Sequence, residues 1–262
     1  MLRYLRLWHR FVVLALVREA EYRLNFLLGV AGGLVQAALA LVTFALLYRF
    51  ADQVGGWSLP QAFLLVGIYR IVDGLISLQL APNLRAITGY IRDGEMDLHL
   101  LRPVSSQFLV SLRLLDLPET VNVLVGVGLT LYAGQVAGVR WSVVGVAEAA
   151  VLGLCGLVVL YALWLCTVTL AFWLVQVDTL DTLFCSLFEA ARFPVSYFRG
   201  GLRAVLTFVV PLAFATTFPA EALLGTFDHR LLPIGIALAA LSLLGTHLFW
   251  NYALRHYSSA SS

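Results

Sequence analysis

The amino-acid sequence predicts an all-α integral membrane protein with six transmembrane helices, and three observations support this. Of the 262 residues, 61% are hydrophobic and 12% are charged, and the mean hydropathy is +0.89; about 25% of the residues in a typical soluble domain are charged. Several apolar runs reach the roughly 20 residues that a helix needs to cross about 30 Å of hydrocarbon. Arginines are concentrated in alternate connecting segments. An ordinary soluble enzyme, a secreted disulfide scaffold and a disordered chain are therefore excluded.

The N-terminal region, residues 1–23, is predicted to form an amphipathic helix on the inner leaflet of the membrane. Arg3, Arg6 and Arg10 recur at helical spacing, and apolar side chains including Leu5 and Trp8 fall near another face. This pattern is typical of a helix that lies in the membrane interface. The alternative is a plain basic flank of the first span.

The apolar runs that follow predict the spans. The first is uncharged between Arg23 and Arg49, the fourth is longer than one crossing needs, and the fifth is short and broken by Pro211. The predicted spans are 24–48, 60–80, 118–139, 142–177, 204–218 and 231–254.

The distribution of arginine predicts the orientation. All 17 basic residues are arginine; with the N-terminus inside, 13 of them fall in inner segments and 3 in outer segments. Positive charge is enriched on the cytoplasmic side of membrane proteins, so both termini are predicted to be cytoplasmic. Because the chain has no lysine, it cannot carry the lysine of a P-loop. A net charge of +2 does not indicate a nucleic-acid partner, and no cofactor or metal site is predicted on this chain.

Two cytoplasmic segments and one outer segment connect these spans. Residues 82–103 are bracketed by Pro82 and Pro103, and Gly94 is predicted to turn the chain between two short helices. Residues 178–200 read as a second cytoplasmic, amphipathic segment whose helix ends before Pro194. Residues 219–230 form the outer segment before the last span.

One pair of charges lies inside a predicted span. Arg70 and Asp73 are three residues apart in the second span, and charged groups in the bilayer usually face protein or water. Either these residues line a translocation path, where Arg70 would meet an anionic head group, or they form an intrahelical ion pair that only holds helices together.

The segment around Gly94 resembles a known family. Tyr90-Ile91-Arg92-Asp93-Gly94-Glu95-Met96-Asp97, followed by Leu100-Leu101-Arg102-Pro103-Val104, is similar to the G-x-[LM]-[DE]…LL-x-P-[VL] signature of ABC-2-type permeases. The shorter motifs Gly55-Gly56-Trp57-Ser58-Leu59, Ala81-Pro82-Asn83-Leu84-Arg85 and Ala191-Arg192-Phe193-Pro194 resemble an uncharacterised bacterial subfamily of these permeases, in the same order.

This resemblance implies a six-span subunit of type V-like ABC exporter topology in the bacterial inner membrane. It implies that residues 219–230 form an outer re-entrant loop, and that the chain pairs with a second permease subunit, identical or dissimilar, among membrane lipids. It also implies that a separate ATPase subunit, which binds ATP and Mg, docks on a coupling helix within 82–103. The residues assigned to this coupling are Arg92, Asp93, Gly94, Glu95, Asp97, Arg102 and Pro103.

The sequence therefore predicts a non-enzymatic permease subunit that exports an amphipathic or lipid-like substrate. A secondary transporter is one alternative, which would work without an ATPase. Acidic residues within the spans would favour it, and Asp73 and Glu148 give it slight support. A polytopic membrane enzyme that acts on lipids is the other.

Overall fold

The protein folds as a bundle of helices, and a computed structural model describes residues 2–21, 23–174, 178–209 and 211–257. Helix α1 (Leu2–Glu21) is followed by the long apolar helix α2 (Arg23–Leu47). The indole N–H of Trp8 in α1 donates a hydrogen bond to Gln79 (3.2 Å), and the Arg18 guanidinium donates one to the carbonyl of Leu115 (2.7 Å). Helix α1 is therefore held against the rest of the molecule along its length.

A two-residue hairpin separates α2 from the next helix. Strand β1 (Gln53–Val54) pairs antiparallel with β2 (Trp57–Ser58). Gly55 and Gly56 make the turn, both with positive φ (56° and 85°), which glycine adopts without steric cost. The Ser58 backbone N–H donates to the Gln61 side chain (2.9 Å) at the start of helix α3 (Leu59–Leu75).

The helix of the second predicted span continues past residue 80. Helix α3 passes through a π-helical turn (Ile76–Leu80) into α4 (Ala81–Arg92), and this stretch of 34 residues contains an apolar segment long enough to cross a membrane. The helix therefore runs through Pro82, where the polar cytoplasmic segment was predicted to begin. Pro82 cannot donate to the carbonyl of Leu78, and that carbonyl instead accepts the backbone N–H of Asp116 (2.9 Å). The helix accommodates the proline because a distant segment supplies the hydrogen bond that the Leu78 carbonyl would otherwise lack.

The third predicted span is the second half of a bent pair. Helix α5 (Met96–Leu100) is followed by α6 (Ser106–Leu112), which meets the stretch Leu117–Val136 at 66°; helix α7 (Thr120–Val136) forms most of that stretch. The bend lies at residues 113–116. The Asn83 side chain of α4 stabilises the backbone there: it accepts a hydrogen bond from Leu114 N–H (2.8 Å) and donates one to Leu114 C=O (2.7 Å).

Helix α8 (Val143–Thr169) corresponds to the fourth predicted span. A 3₁₀ turn extends it to Phe172, so the helix ends before the predicted boundary at 177, and residues 175–177 lie outside the described residues. A membrane-length helix needs no more than this: the stretch Val143–Phe172 has 30 residues.

The fifth predicted span, 204–218, is divided among short elements. After helix α9 (Asp178–Glu189) come α10 (Gly200–Ala204), a π-helical turn (Val205–Val209), α11 (Leu212–Ala215) and α12 (Thr217–Leu224); Val210 lies outside the described residues. Residues 211–220 are all buried. The Thr216 hydroxyl donates to the carbonyl of Ala191 (2.8 Å), and the Thr217 hydroxyl accepts from Val195 N–H (3.3 Å). Broken backbone is tolerated at membrane depth where protein surrounds it.

Helix α13 (Leu231–Arg255) corresponds to the last predicted span. In the described part of the chain, four helices are long and apolar enough to cross a membrane, or five if the bent pair is one span. The main core lies between α3, α4, α8 and α9, where Leu84, Ile87, Leu165 and Val168 are completely buried. This core positions the candidate site.

Candidate functional site

A polar cavity of about 360 Å³ lies between α2, α3, α8 and α9. This volume is within the range of about 300–1,000 Å³ that small-molecule sites occupy. Its lining combines charged side chains with aromatic rings. The charged members are Arg70, Asp73, Arg85, Glu189 and Arg192, and the aromatic members are Tyr69, Trp164, Phe184 and Phe188.

The predicted pair Arg70 and Asp73 lies in this cavity. Their closest charged atoms, Nη1 and Oδ2, are 3.6 Å apart, and Arg70 Nη1 also donates to the Gln36 side chain of α2 (3.5 Å). Arg70 is 5% exposed, and its Nε has no hydrogen-bond partner among the described residues. An intrahelical ion pair therefore forms, and the same two side chains also line the cavity. Both interpretations of the pair agree with this geometry.

Three further charged residues of the cavity were not predicted as site residues. The Arg85 guanidinium lies 5.7 Å from the centroid of the Trp164 ring, and its Nη2 lies 3.3 Å from Cys185 Sγ. Arg192 forms an ion pair with Glu189 at the end of α9. Arg85 was missed because it belongs to the predicted cytoplasmic segment 82–103 and not to a span. Glu189 and Arg192 were missed because α9 reaches the cavity only through long-range packing: the Phe184 ring stacks on Trp164 (5.0 Å) and the Phe188 ring on Tyr69 (5.4 Å).

The residues predicted to couple to an ATPase, within 92–103, form an exposed tip after α4. Asp93 ends the helix, and Gly94 follows with φ +74°, the left-handed conformation that the sequence predicted for a glycine after a helix. Helix α5 then packs back on α4. Its Met96 is completely buried, and the His99 ring lies 4.6 Å from the Tyr90 ring. The tip is therefore a fixed shape and not an open loop.

The surface of this tip carries both charge and exposed leucine. Of the predicted coupling residues, Arg92, Asp93, Glu95, Arg102 and Pro103 are exposed, and Arg92 bonds Asp93 (3.2 Å). Asp97 lies near the end of α13, where burial and this carboxylate together raise the pKa of Tyr257. Leu98 and Leu101 are 61% and 81% exposed. These leucines were missed as site residues, although their spacing of three places them together on the face opposite the buried Met96 and His99.

The environment of His99, at the base of the tip, lowers the pKa of its side chain. Burial lowers the pKa of this imidazole, Arg113 and Arg102 lower it further, and Glu95 opposes them. Its Nδ1 has no hydrogen-bond partner among the described residues. The ring is therefore neutral at neutral pH and contributes packing to the tip.

The structure does not bring the cavity and the tip together; it connects them by one helix. Arg70 and Asp73 lie in α3 and Arg92 ends α4, with no break in the helical stretch Leu59–Arg92. At 1.5 Å per residue, Asp73 and Arg92 are roughly 30 Å apart along the axis. One continuous helix therefore runs from the wall of the cavity to the tip.

Comparison with known protein families gives a match over most of the chain. The family model described as "ABC-2 family transporter protein" matches residues 34–261, which includes the cavity and the tip. No curated protein and no solved structure matches the chain.

Proposed function

The chain belongs to the ABC-2 family of transporter proteins, and on this basis we propose that it is the permease subunit of an ATP-driven exporter for an amphipathic, lipid-like substrate. It is a multi-pass membrane protein, which we assign to the bacterial inner membrane with both termini in the cytoplasm and with the six-span, type V-like topology of its relatives. The motor is a separate ABC ATPase that carries ATP and Mg, and a second permease subunit, identical or dissimilar, completes the path.

The continuous helix from cavity to tip is the observation that carries this proposal. An exporter needs a rigid element that the motor can push and a binding surface that moves in response. The tip formed by α4, Gly94 and α5 supplies the first, and the cavity at Arg70 and Asp73 supplies the second. The π-helical turn Ile76–Leu80 between them is the place where the helix can change its winding.

The lining of the cavity supports an amphipathic substrate. Guanidinium groups such as those of Arg70 and Arg85 recognise phosphate or carboxylate. The stacked Tyr69–Phe188 and Trp164–Phe184 pairs offer apolar surface beside them. A molecule with an anionic head and an apolar body satisfies both parts of the lining.

The exposed leucines of the tip provide the test of the docking role. Replacing Leu98 and Leu101 together with aspartate places charge at the centre of the proposed interface, where desolvated apolar anchors dominate binding. We expect the amount of ATPase retained on the purified complex to fall at least about tenfold. Retention is measured by pull-down of the tagged chain and quantitative mass spectrometry.

The matched control is Phe50→Asp with Val143→Asp, which also adds two negative charges at exposed apolar side chains (88% exposed each), but after α2 and at the start of α8, both of which we place on the outer side. ATPase retention should be unchanged in this variant. Equal retention in the double leucine variant and the wild type would contradict docking at the tip.

The two interpretations of Arg70 and Asp73 can be separated by a pair of variants. Asp73→Asn leaves a buried guanidinium without its carboxylate partner, which we expect to destabilise the chain by about 3 kcal/mol. Replacing both residues, Arg70→Met with Asp73→Leu, removes the ion pair without leaving a charge and should keep near-normal thermal stability. We expect this double variant to transport at least about tenfold more slowly, because the cavity loses its anion-binding group.

The measurement is thermal unfolding in detergent together with ATP-dependent transport in proteoliposomes. A double variant with normal stability and normal transport would show that the pair has no role in substrate binding.

A further inference from the structure

Helix α1 and the start of α6 carry two adjoining recesses of opposite chemistry, separate from the cavity already described. The recess on α1 has a volume of about 350 Å³ and is lined by Arg3, Arg6, Leu7, Arg10 and Val104. A second recess of about 380 Å³ lies between α6 and α8. Neither shares a lining residue with the cavity at Arg70.

The first recess is strongly basic. Arg3, Arg6 and Arg10 are exposed and lie on one face of α1, because residues three and four apart are neighbours on a helix. Within the described ranges no salt bridge joins any of the three to an acidic side chain. Three guanidinium groups facing one recess offer a site for a phosphate diester.

The second recess is an apolar groove. Its carbon-rich wall is formed by Leu80, Phe108, Leu112, Leu157 and Val158. The polar groups at its edge are bonded to one another: Tyr161 OH contacts Ser111 Oγ (2.9 Å) and accepts from Gln107 Nε2 (3.3 Å), and Gln107 Oε1 bonds His247 Nδ1 (2.8 Å). Because these groups already have partners, the groove presents a surface suited to a hydrocarbon chain.

The two recesses meet at the start of α6. Val104 lines the basic recess, and Ser105, the next residue in the chain, lines the apolar groove. Tyr4, between the arginines of α1, packs its ring edge to face on Phe108 of the groove, with centroids 4.7 Å apart. A single molecule with an anionic head and an apolar tail can therefore occupy both recesses at once.

We propose that this junction binds a resident anionic phospholipid of the phosphatidylglycerol type, with its phosphate at Arg3, Arg6 and Arg10 and one acyl chain in the groove between α6 and α8. Charge complementarity selects this occupant: basic pockets beside transmembrane helices favour anionic over zwitterionic head groups. The lipid joins α1 to the segment that directly follows the coupling tip at Pro103. This site goes beyond the proposed transport function, because the lipid is a structural ligand and not the cargo.

Native mass spectrometry of the purified full-length chain tests the proposal. The chain in detergent is mixed with equal amounts of phosphatidylglycerol and phosphatidylcholine of identical acyl chains, and the lipid that remains bound is counted. We expect phosphatidylglycerol to be retained at least about tenfold more than phosphatidylcholine. Arg3→Gln, Arg6→Gln and Arg10→Gln together should abolish this preference. The control removes the same charge from three exposed arginines elsewhere, Arg49→Gln, Arg140→Gln and Arg230→Gln, and should retain the preference.

A second pair of variants tests the acyl groove. Leu157→Trp fills the groove and should reduce retention of phosphatidylglycerol, whereas Leu154→Trp, one turn earlier on α8 at a side chain that is 60% exposed, should not. Glycerol phosphate without acyl chains should bind far more weakly than the lipid.

Three results would overturn the proposal. The wild-type chain could retain the two lipids equally, or the two triple arginine variants could lose the preference equally. The third result is that glycerol phosphate binds as tightly as the lipid. The last would reveal a site for a free anion. Lipid retention is measured without ATPase or cargo, so it can fail while the proposed transport function stands, and the reverse.

Discussion

Replacing Gly94 with valine is expected to abolish most ATP-driven transport while the chain still folds and inserts. Gly94 has φ +74°, where an L-residue costs about 1–2 kcal/mol and a β-branched residue is a rare outlier. The strain is too small to unfold the molecule, but it is relieved by moving α5 away from α4. We expect the transport rate to fall at least about tenfold, because each 1.4 kcal/mol added to the activation free energy of the coupled step slows that step about tenfold. ATP hydrolysis by the partner continues.

Transport and hydrolysis are measured on the same proteoliposomes. The matched control is Gly89→Val in α4, five residues earlier, where an added Cβ meets nothing within 4 Å and the backbone is helical. This control should transport normally. Normal transport by Gly94→Val would remove the tip from the coupling mechanism.

Replacing Gly126 with valine is expected to destabilise the chain by about 3 kcal/mol. Helices α3 and α7 approach each other backbone to backbone: a Cβ on Gly126 would lie 2.7 Å from Ile71 N and 2.8 Å from Gly67 O. Small residues are the usual means of such close helix packing in membranes. Backbone atoms cannot move aside as a flexible side chain can, so the two helices must separate.

The midpoint of thermal unfolding in detergent should fall by roughly 5–10 °C. Gly128→Val, two residues further on the exposed face of α7, is the control, since an added Cβ there meets nothing within 4 Å. Equal stability of the two variants would show that α3 and α7 are not packed as described.

The features set by local sequence were predictable. Gly94 was identified as a turn residue because a helix pattern ends at Arg92 and glycine alone adopts the left-handed conformation at low cost. The helices at the first and last predicted spans begin and end within a few residues of the predicted bounds, since each is a long uncharged run.

The features set by distant contacts were not predictable. Pro82 looked like a helix boundary, but the helix continues through it because the backbone N–H of Asp116 bonds to the carbonyl of Leu78. The fifth span was expected to be short and broken by Pro211, but its further division depends on distant contacts: the Thr216 hydroxyl donates to the carbonyl of Ala191, and the Thr217 hydroxyl accepts from Val195 N–H. For the same reason the cavity was predicted only from Arg70 and Asp73. The residues that α9 adds to it become apparent only when α9 packs on α3 and α8.

Affinity purification of the tagged chain from its native membrane, with mass spectrometry of the proteins that accompany it, tests the central claim most directly. A permease subunit that docks its motor on the tip should bring down a P-loop ATPase at near-equal stoichiometry, and this ATPase should be lost when residues 92–103 are altered. The same experiment identifies any second, dissimilar permease. Recovery of the chain alone, or only with copies of itself, would contradict the account and favour a secondary transporter or a membrane enzyme.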